Sequence, residues 1–312
     1  MDAEALYPKD RVTLREVGLR DGLQLVRRFP STKAKLNWLN AEYAAGVRHF
    51  EVGSFLPASR VPQFADIRAL IGATADLGAF ASALALNERG AEDAVQTPVH
   101  EIINVVSATE EHSRANMRRS RAEAVDLVRR TRELAGKGDG RPLVNAGIAM
   151  AFGCSIAGDV PQAEVLRLAE ECLNAGADII GIADTVGFAG PRQVGALTSA
   201  LVNLCGNVPV TVHLHDTRGL ALANAAAALD AGARVLDGSL GGLGGCPFAP
   251  GATGNAVFED LVFLCERMGF ATGIDLKAVT AIRGILEEEM PAEELHGALA
   301  RSGPPPLIHW AA

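Results

Sequence analysis

Two histidines in the second half of the chain, His213 and His215, have the spacing of a metal-binding pair. They lie in residues 211–217, where threonine, valine and leucine favour a β-strand. Successive side chains of a strand point to opposite faces, so the two imidazoles are expected to face the same way, roughly 7 Å apart. This spacing predicts a divalent-metal site, and the alternative is a strand end with two hydrogen-bonded histidines.

The segments that must position this pair alternate between strand-like and helix-like along most of the chain. The predicted strands are residues 11–17, 48–52, 79–86, 101–106, 143–151, 178–182, 208–213 and 234–238. The predicted helices are residues 32–45, 61–72, 88–96, 114–134, 162–175, 191–205 and 220–231, followed after the last strand by 257–268, 275–289 and 293–299. Eight such alternations predict an α/β protein with a parallel (β/α)8 TIM barrel and extra C-terminal helices. A doubly wound open sheet is the weaker alternative, because no glycine fingerprint follows the first strand.

This alternation also sets the expected domain organisation. We expect residues 1–301 to form one catalytic barrel domain that includes the C-terminal helices as an appendage. Residues 302–312, which include three consecutive prolines, are expected to form a loose tail.

Composition excludes several classes of partner. The chain has 312 residues, is 48% hydrophobic and carries a formal net charge of -8 without a basic block, which argues against nucleic acid and anionic membranes as partners. No apolar run approaches the length that spans a bilayer. Five cysteines without paired spacing indicate a reducing compartment. Residues 1–10 resemble neither a signal peptide nor a transit peptide, so we expect a cytoplasmic protein.

In such a barrel the carboxyl ends of the strands face one common mouth, where polar residues collect. The polar residues predicted there are Arg20 and Asp21, Glu51, Asp184 and Thr185, His213 and His215, and then Cys246 and Asn255. Two histidines, an aspartate and an amide form a mixed nitrogen and oxygen set that suits Mg²⁺, Mn²⁺ or Zn²⁺. Simpler roles stay open: Arg20 with Asp21 as a loop ion pair, Glu51 as a buried partner of an arginine, and Asp184 with Thr185 as a helix cap.

Cys246 follows a segment in which four of the five residues from Gly241 to Gly245 are glycine. A cysteine is by default a small buried hydrophobe. A glycine-rich backbone can approach a ligand closely, which favours a thiol that acts on a substrate. We expect this loop to be a lid that closes over the substrate and excludes water.

Taken together, the motifs of the chain resemble those of the 3-hydroxy-3-methylglutaryl-CoA lyases. The motifs are Arg20-Asp21-Gly22-Leu23-Gln24, Glu51-Val52-Gly53-Ser54-Phe55, His213-Leu214-His215-Asp216-Thr217, Gly242-Leu243-Gly244-Gly245-Cys246-Pro247, Gly251-Ala252-Thr253-Gly254-Asn255 and Glu259-Asp260-Leu261-Val262. The resemblance runs from about Val12 to Gly273. Its glycine–cysteine loop is specific to these lyases within the wider family of metal-dependent lyases and acyl-CoA condensing enzymes.

The resemblance implies an enzyme that cleaves a carbon–carbon bond in a 3-hydroxy-3-alkylglutaryl-CoA thioester, giving acetyl-CoA and acetoacetate or another 3-oxo acid. It implies a metal, Mg²⁺ or Mn²⁺ with Zn²⁺ as the alternative, bound by Asp21, His213, His215 and Asn255. The implied catalytic residues are Arg20, Asp21, Glu51, Asp184, His213 and Cys246, and the implied substrate-binding residues are Arg20, Gln24 and Ser54. Arg20 would stabilise the enolate, and Cys246 would act in proton transfer. We expect a homo-oligomer, a dimer or larger.

Two loops depart from the lyase pattern. Leu25-Val26 stand where the lyases usually have Asn-Glu, and Ser155-Ile156-Ala157 replace a Pro-Tyr-Glu sequence. These apolar replacements predict an altered pocket that accepts a 3-alkyl group larger than methyl. The alternatives are an acyl-CoA condensing enzyme or 2-oxo-acid aldolase on the same barrel, and a barrel that binds a CoA ester or metal without catalysis.

Overall fold

Eight short parallel strands pair in sequence order, and the eighth pairs back with the first to close a barrel. The computed structural model describes residues 2–138, 140–245 and 254–305. The strands are β1 Thr13–Glu16, β2 His49–Ser54, β3 Phe80–Leu84, β4 Glu101–Ser107, β5 Leu143–Ala149, β6 Ile179–Asp184, β7 Val210–Leu214 and β8 Val235–Gly238. The predicted TIM barrel is thereby confirmed.

Helices cover the outside of the barrel, because each parallel pair needs a crossover between its strands. They are α1 Ala3–Leu6, α2 Thr32–Ala44, α3 Ile67–Asp76, α4 Glu88–Ala94, α5 Glu110–Met117, α6 Arg121–Ala135, α7 Gln162–Asn174, α8 Pro191–Cys205, α9 Ala221–Asp230, α10 Phe258–Arg267, α11 Leu276–Ala281, α12 Arg283–Glu289 and α13 Leu299–Ser302. The π-helical turn Gly18–Gly22 follows β1, and the 3₁₀ turn Leu240–Gly242 follows β8. No helix within the described ranges is both long enough and apolar enough to cross a bilayer.

The amino-terminal end of the barrel is closed by α1. Leu6 and Tyr7 pack there against Leu143, Ile179 and Val235, at the starts of β5, β6 and β8. At the opposite, carboxyl end the described residues leave a cavity, and this end carries the predicted site.

The single long helix predicted over residues 114–134 is wrong. The chain instead forms α5 and α6, separated at Arg118, whose backbone adopts a left-handed conformation with φ 56°. Ser120 then starts α6 through a capping box with Glu123, a Ser-x-x-Glu signal that was present in the sequence.

The predictions around the C-terminal helices also need correction. Residues 275–289 form two helices, α11 and α12, and residues 293–298 form none. The backbone N–H of His296 donates to the carbonyl of Gly241 (2.7 Å), and the carboxylate of Asp260 accepts from the N–H groups of Ala298 and Leu299 (2.7 and 3.0 Å). These bonds tie residues 296–298 to the barrel and delay the last helix until Leu299.

Candidate active site

A cavity of about 190 Å³ opens among the carboxyl ends of the strands, where the sequence predicted the site. Seven of the predicted residues line it: Arg20, Asp21, Gln24, Glu51, Thr185, His213 and His215. They are distant in the sequence, and they meet because parallel strands of a barrel all end at the same mouth.

Local backbone structure sets the direction of each group. The π-helical turn Gly18–Gly22 carries Arg20 and Asp21, and such turns are frequent at functional sites. His213 lies on β7 and His215 follows its last residue in extended backbone, so the alternation of strand side chains puts both imidazoles on one face. His215 forms an isolated antiparallel bridge with Asn255, which brings that amide beside the histidines.

Asp21, His213 and His215 form a compact cluster of potential metal ligands. The two histidine Nε2 atoms lie 3.1 Å apart. Asp21 Oδ2 is 3.3 Å from His215 Nε2 and 3.8 Å from His213 Nε2. The Nδ2 group of Asn255 donates to Asp21 Oδ2 (2.9 Å). Two imidazole nitrogens that face each other at this distance need a proton or a cation between them, since both cannot present a lone pair without repulsion.

The donor atoms therefore fit a divalent metal. Two imidazoles, a carboxylate and an amide are a mixed nitrogen and oxygen set that suits such ions. The Oδ1 atom of Asn255 is buried and makes no hydrogen bond to any described residue. Burial opposes the ionisation of Asp21, but Arg20 and the two histidines outweigh it and hold its pKa well below its usual range. The carboxylate is thus ionised and ready to bind a cation.

Arg20 lies beside this cluster with its guanidinium held on two sides. Its Nε is 2.8 Å from Glu51 Oε1, and its Nη1 donates to Asp21 Oδ1 (2.5 Å) and Gln24 Oε1 (3.3 Å). Its Nη2 group makes no hydrogen bond to the described residues, so its donors are available to a ligand. Burial raises the pKa of Glu51 despite the adjacent guanidinium.

A buried charge network that was not predicted from the sequence contacts His213 at Nδ1, the ring nitrogen that does not face His215. His213 Nδ1 is 3.1 Å from Asp237 Oδ2. Arg15 donates to both oxygens of Asp237 (2.9 Å each) and to Glu101 Oε1 (2.7 Å). Glu101 also accepts from Asn145 Nδ2 (2.7 Å). The available signal was a charged residue, Arg15 or Asp237, inside each of two short strands, β1 and β8, that are buried along their whole length.

A second buried carboxylate, Glu16, joins the two turns at the mouth. Its oxygens accept from the N–H of Gly18 (2.9 Å) and the N–H of Leu240 (3.0 Å). Glu259 accepts from the N–H of Gly241 (3.0 Å) and from Arg283 Nη1 (2.6 Å). The appended α12, which carries Arg283, therefore supports the turn after β8.

Three predicted residues within the described ranges do not line the cavity: Ser54, Asp184 and Asn255. Asp184 accepts from the backbone N–H groups of Phe188 (2.8 Å) and Ala189 (3.1 Å), so its carboxylate holds the loop after β6. It is not a helix cap, because α8 begins after Gly190 without a side-chain cap. Ser54 is buried, and the described cavity wall contains neither Ser54 nor Asp184. Thr185, adjacent to Asp184, does line the cavity. Cys246 lies outside the described residues.

A closed parallel barrel with this charged mouth defines a TIM-barrel enzyme with a candidate metal centre. The HMGL-like family model matches residues 11–286, so the chain belongs to the HMGL-like family.

Relatives that match the chain over most of its length are named as lyases of CoA thioesters. The chain is 37% identical over 285 residues to the hydroxymethylglutaryl-CoA lyase YngG of Bacillus subtilis, covering 91% of this chain and 94% of the relative. It is 38% identical over 307 residues to the (R)-citramalyl-CoA lyase of Chloroflexus aurantiacus, covering 95% and 96%. The structure of an HMG-CoA lyase from Acinetobacter baumannii in complex with coenzyme A and 3-methylmalate matches with a TM-score of 0.86 at 35% identity, covering 97% of this chain and 98% of that one.

Proposed function

We propose that this chain is a divalent-metal-dependent carbon–carbon lyase. It cleaves 3-hydroxy-3-methylglutaryl-CoA, or a close 3-alkyl analogue, to acetyl-CoA and the corresponding 3-oxo acid. The observation that carries the proposal is the cluster of Asp21, His213 and His215 next to the guanidinium of Arg20 in one cavity. This pairing supplies both a cation site and a fixed positive group for an enolate.

The metal would be held by Asp21, His213, His215 and Asn255, and Mg²⁺ or Mn²⁺ is favoured, with Zn²⁺ as the alternative. When bound, such an ion supplies Lewis-acid chemistry that lowers the pKa of the substrate's tertiary hydroxyl. Asp237 orients the imidazole of His213, because the Nδ1 proton that it accepts leaves Nε2 free to act as a ligand.

Arg20 stabilises the enolate that cleavage leaves on the thioester. Its Nε faces Glu51 and its Nη1 faces Asp21, so the guanidinium is fixed before the substrate arrives. A donor that needs no reorganisation stabilises developing charge more effectively than a mobile one does. The free Nη2 donors are the ones we assign to the thioester oxygen.

Cys246 is proposed to protonate the enolate carbon, on the strength of the motif resemblance alone. A positioned acid typically contributes a factor of about 10²–10⁴ to the rate. Asp184 is proposed to act indirectly, through the loop after β6 that it holds. We further propose that residues 1–301 form one catalytic domain and that the enzyme is a cytoplasmic homo-oligomer.

A substrate panel tests the proposed reaction. The purified protein with Mg²⁺ or Mn²⁺ is incubated with 3-hydroxy-3-methylglutaryl-CoA, its longer 3-alkyl analogues, citramalyl-CoA and 2-oxo acids, and acetyl-CoA is measured. We expect acetyl-CoA from the glutaryl thioesters. Turnover of 2-oxo acids alone would favour the aldolase alternative, and binding of thioesters without turnover would favour the non-catalytic one.

A further inference from the structure

The wall of the cavity is divided into a charged half and an apolar half. Its charged residues come from β7, β8, β1 and β2 and the turn after β1, which are consecutive around the closed barrel: Arg15, Arg20, Asp21, Glu51, His213, His215 and Asp237. The strands β3 to β6 and the segments that directly follow them contribute mainly apolar groups: Leu84, Leu86, Ile103, Val105, Gly147, Ala149, Ile182 and Ala183. The polar groups on that side are neutral, and burial lowers the pKa of His112, which keeps its ring uncharged near neutral pH.

Two neighbouring glycines line the apolar half of the cavity. Gly147 of β5 pairs in register with Gly181 of β6, and both line the cavity. The interior of a TIM barrel is normally filled by layers of bulky side chains, so two adjacent glycines remove part of such a layer. Glycine inside a strand also weakens the strand, and it often marks a place that a ligand approaches closely.

The two glycines differ in what surrounds them. A Cβ atom at Gly181 would lie 2.8 Å from the Thr211 hydroxyl, so that space is already filled. A Cβ atom at Gly147 would meet nothing closer than Ile103 Cγ2 at 3.5 Å, an ordinary contact. Gly147 has no positive φ, so its backbone does not require glycine. Gly147 is moreover partly exposed, although it lies in the middle of a strand whose neighbouring residues are buried.

We propose that Gly147 determines the substrate range, because the open space beside it holds the alkyl group on C3 of the substrate, including groups larger than methyl. This inference rests on the proposed lyase function. Three of the four substituents of that carbon are polar or carry a polar end: the hydroxyl, the carboxylate arm and the thioester arm. They match the charged half, and the alkyl group is the one substituent that matches the apolar half.

The test compares kcat/KM for the 3-butyl and 3-methyl glutaryl thioesters in the wild type, Gly147→Ala and Gly147→Val. Each methylene that is buried in the wild type is worth about fourfold (about 0.8 kcal/mol). Since the butyl group has three more methylenes, we expect the butyl-to-methyl ratio to fall at least tenfold in Gly147→Val and less in Gly147→Ala. If Gly147→Val does not fold, the butyl-to-methyl ratio of Gly147→Ala decides, because the Cβ atom added in that variant makes no contact closer than 3.5 Å.

Gly72→Ala is the matched control, since Gly72 lies on α3 with nothing within 4 Å of its would-be Cβ. We expect its ratio to equal that of the wild type. A wild type that cleaves the 3-methyl thioester but not the 3-butyl one would overturn the inference and leave the lyase function standing. An equal loss for both substrates in the Gly147 variants would also overturn it. If the wild type cleaves no thioester, the lyase function and this inference both fall.

Discussion

The contact between Asp237 and His213 gives the most sensitive test of how the candidate metal site is built. In the wild type, Asp237 accepts from His213 Nδ1, so the lone pair of Nε2 points at the cluster. Burial opposes ionisation of Asp237, but Arg15 and His213 outweigh it and lower its pKa to about 2. Asp237→Asn keeps the shape and removes the charge. The new amide can donate to Nδ1, which would place the ring proton on Nε2 and block its lone pair.

The expected magnitude follows from burial and distance. Only 4% of the Asp237 side chain is exposed, so solvent screens its 3.1 Å contact with His213 little. Loss of such a supporting hydrogen bond typically weakens metal binding about 10–100-fold, which is about 1.4–2.7 kcal/mol. Arg15 keeps Glu101 as a partner at 2.7 Å, so the variant should remain folded.

Calorimetric titration of the metal-free protein with Mn²⁺ measures the effect directly. Asp178→Asn is the matched control, because Asp178 forms a comparable two-point ion pair with Arg141 (2.7 and 2.8 Å) just before β6, at the other end of the barrel. We expect Kd to rise in Asp237→Asn and to stay within twofold of the wild type in Asp178→Asn. An unchanged Kd in Asp237→Asn, or equal weakening in both variants, would refute the reasoning.

Three further predictions concern Arg20 and Cys246 of the site and Glu42, a buried residue of α2. Arg20→Lys should lower kcat by about 10²–10³ with a smaller change in KM, because the planar fork that stabilises the enolate is lost; a wild-type kcat would remove Arg20 from the mechanism. Burial and the nearby Glu16 raise the pKa of Glu42 well above 4.5, so its contribution to stability is lost as the pH rises. The stability of Glu42→Gln relative to the wild type, measured by thermal unfolding, should therefore be greater at pH 8 than at pH 5. An equal difference at both pH values would contradict this. Cys246→Ser should slow enolate protonation by orders of magnitude and leave Mn²⁺ affinity unchanged; loss of metal together with activity would rule out the acid role.

Repeating local patterns made the barrel and its mouth predictable. The alternation of strands and helices predicted the fold. The spacing of His213 and His215 predicted that both imidazoles face the same way at the end of β7. The helix break at Arg118 was missed because helix-forming residues flank it, and the Ser120 capping box was the only local sign.

The supporting contacts were not predictable, because they join residues far apart in the chain. Arg15 and Asp237 are 222 residues apart, and their pairing depends on the closure of β1 against β8. The same holds for the space at Gly147, since a glycine in a strand becomes a pocket only when the neighbouring strand leaves that space unfilled. Sequence patterns report one element at a time, whereas these features belong to the assembled barrel.

Metal-dependent cleavage is the central claim, and one measurement tests it most directly. The protein is stripped with a chelator, shown by elemental analysis to be metal-free, and assayed for acetyl-CoA release from 3-hydroxy-3-methylglutaryl-CoA before and after addition of Mg²⁺ or Mn²⁺. We predict no release from the stripped protein, restored release on addition of metal, and no restoration in His213→Ala at metal concentrations that saturate the wild type. Full release of acetyl-CoA by the metal-free protein in excess chelator would contradict the account.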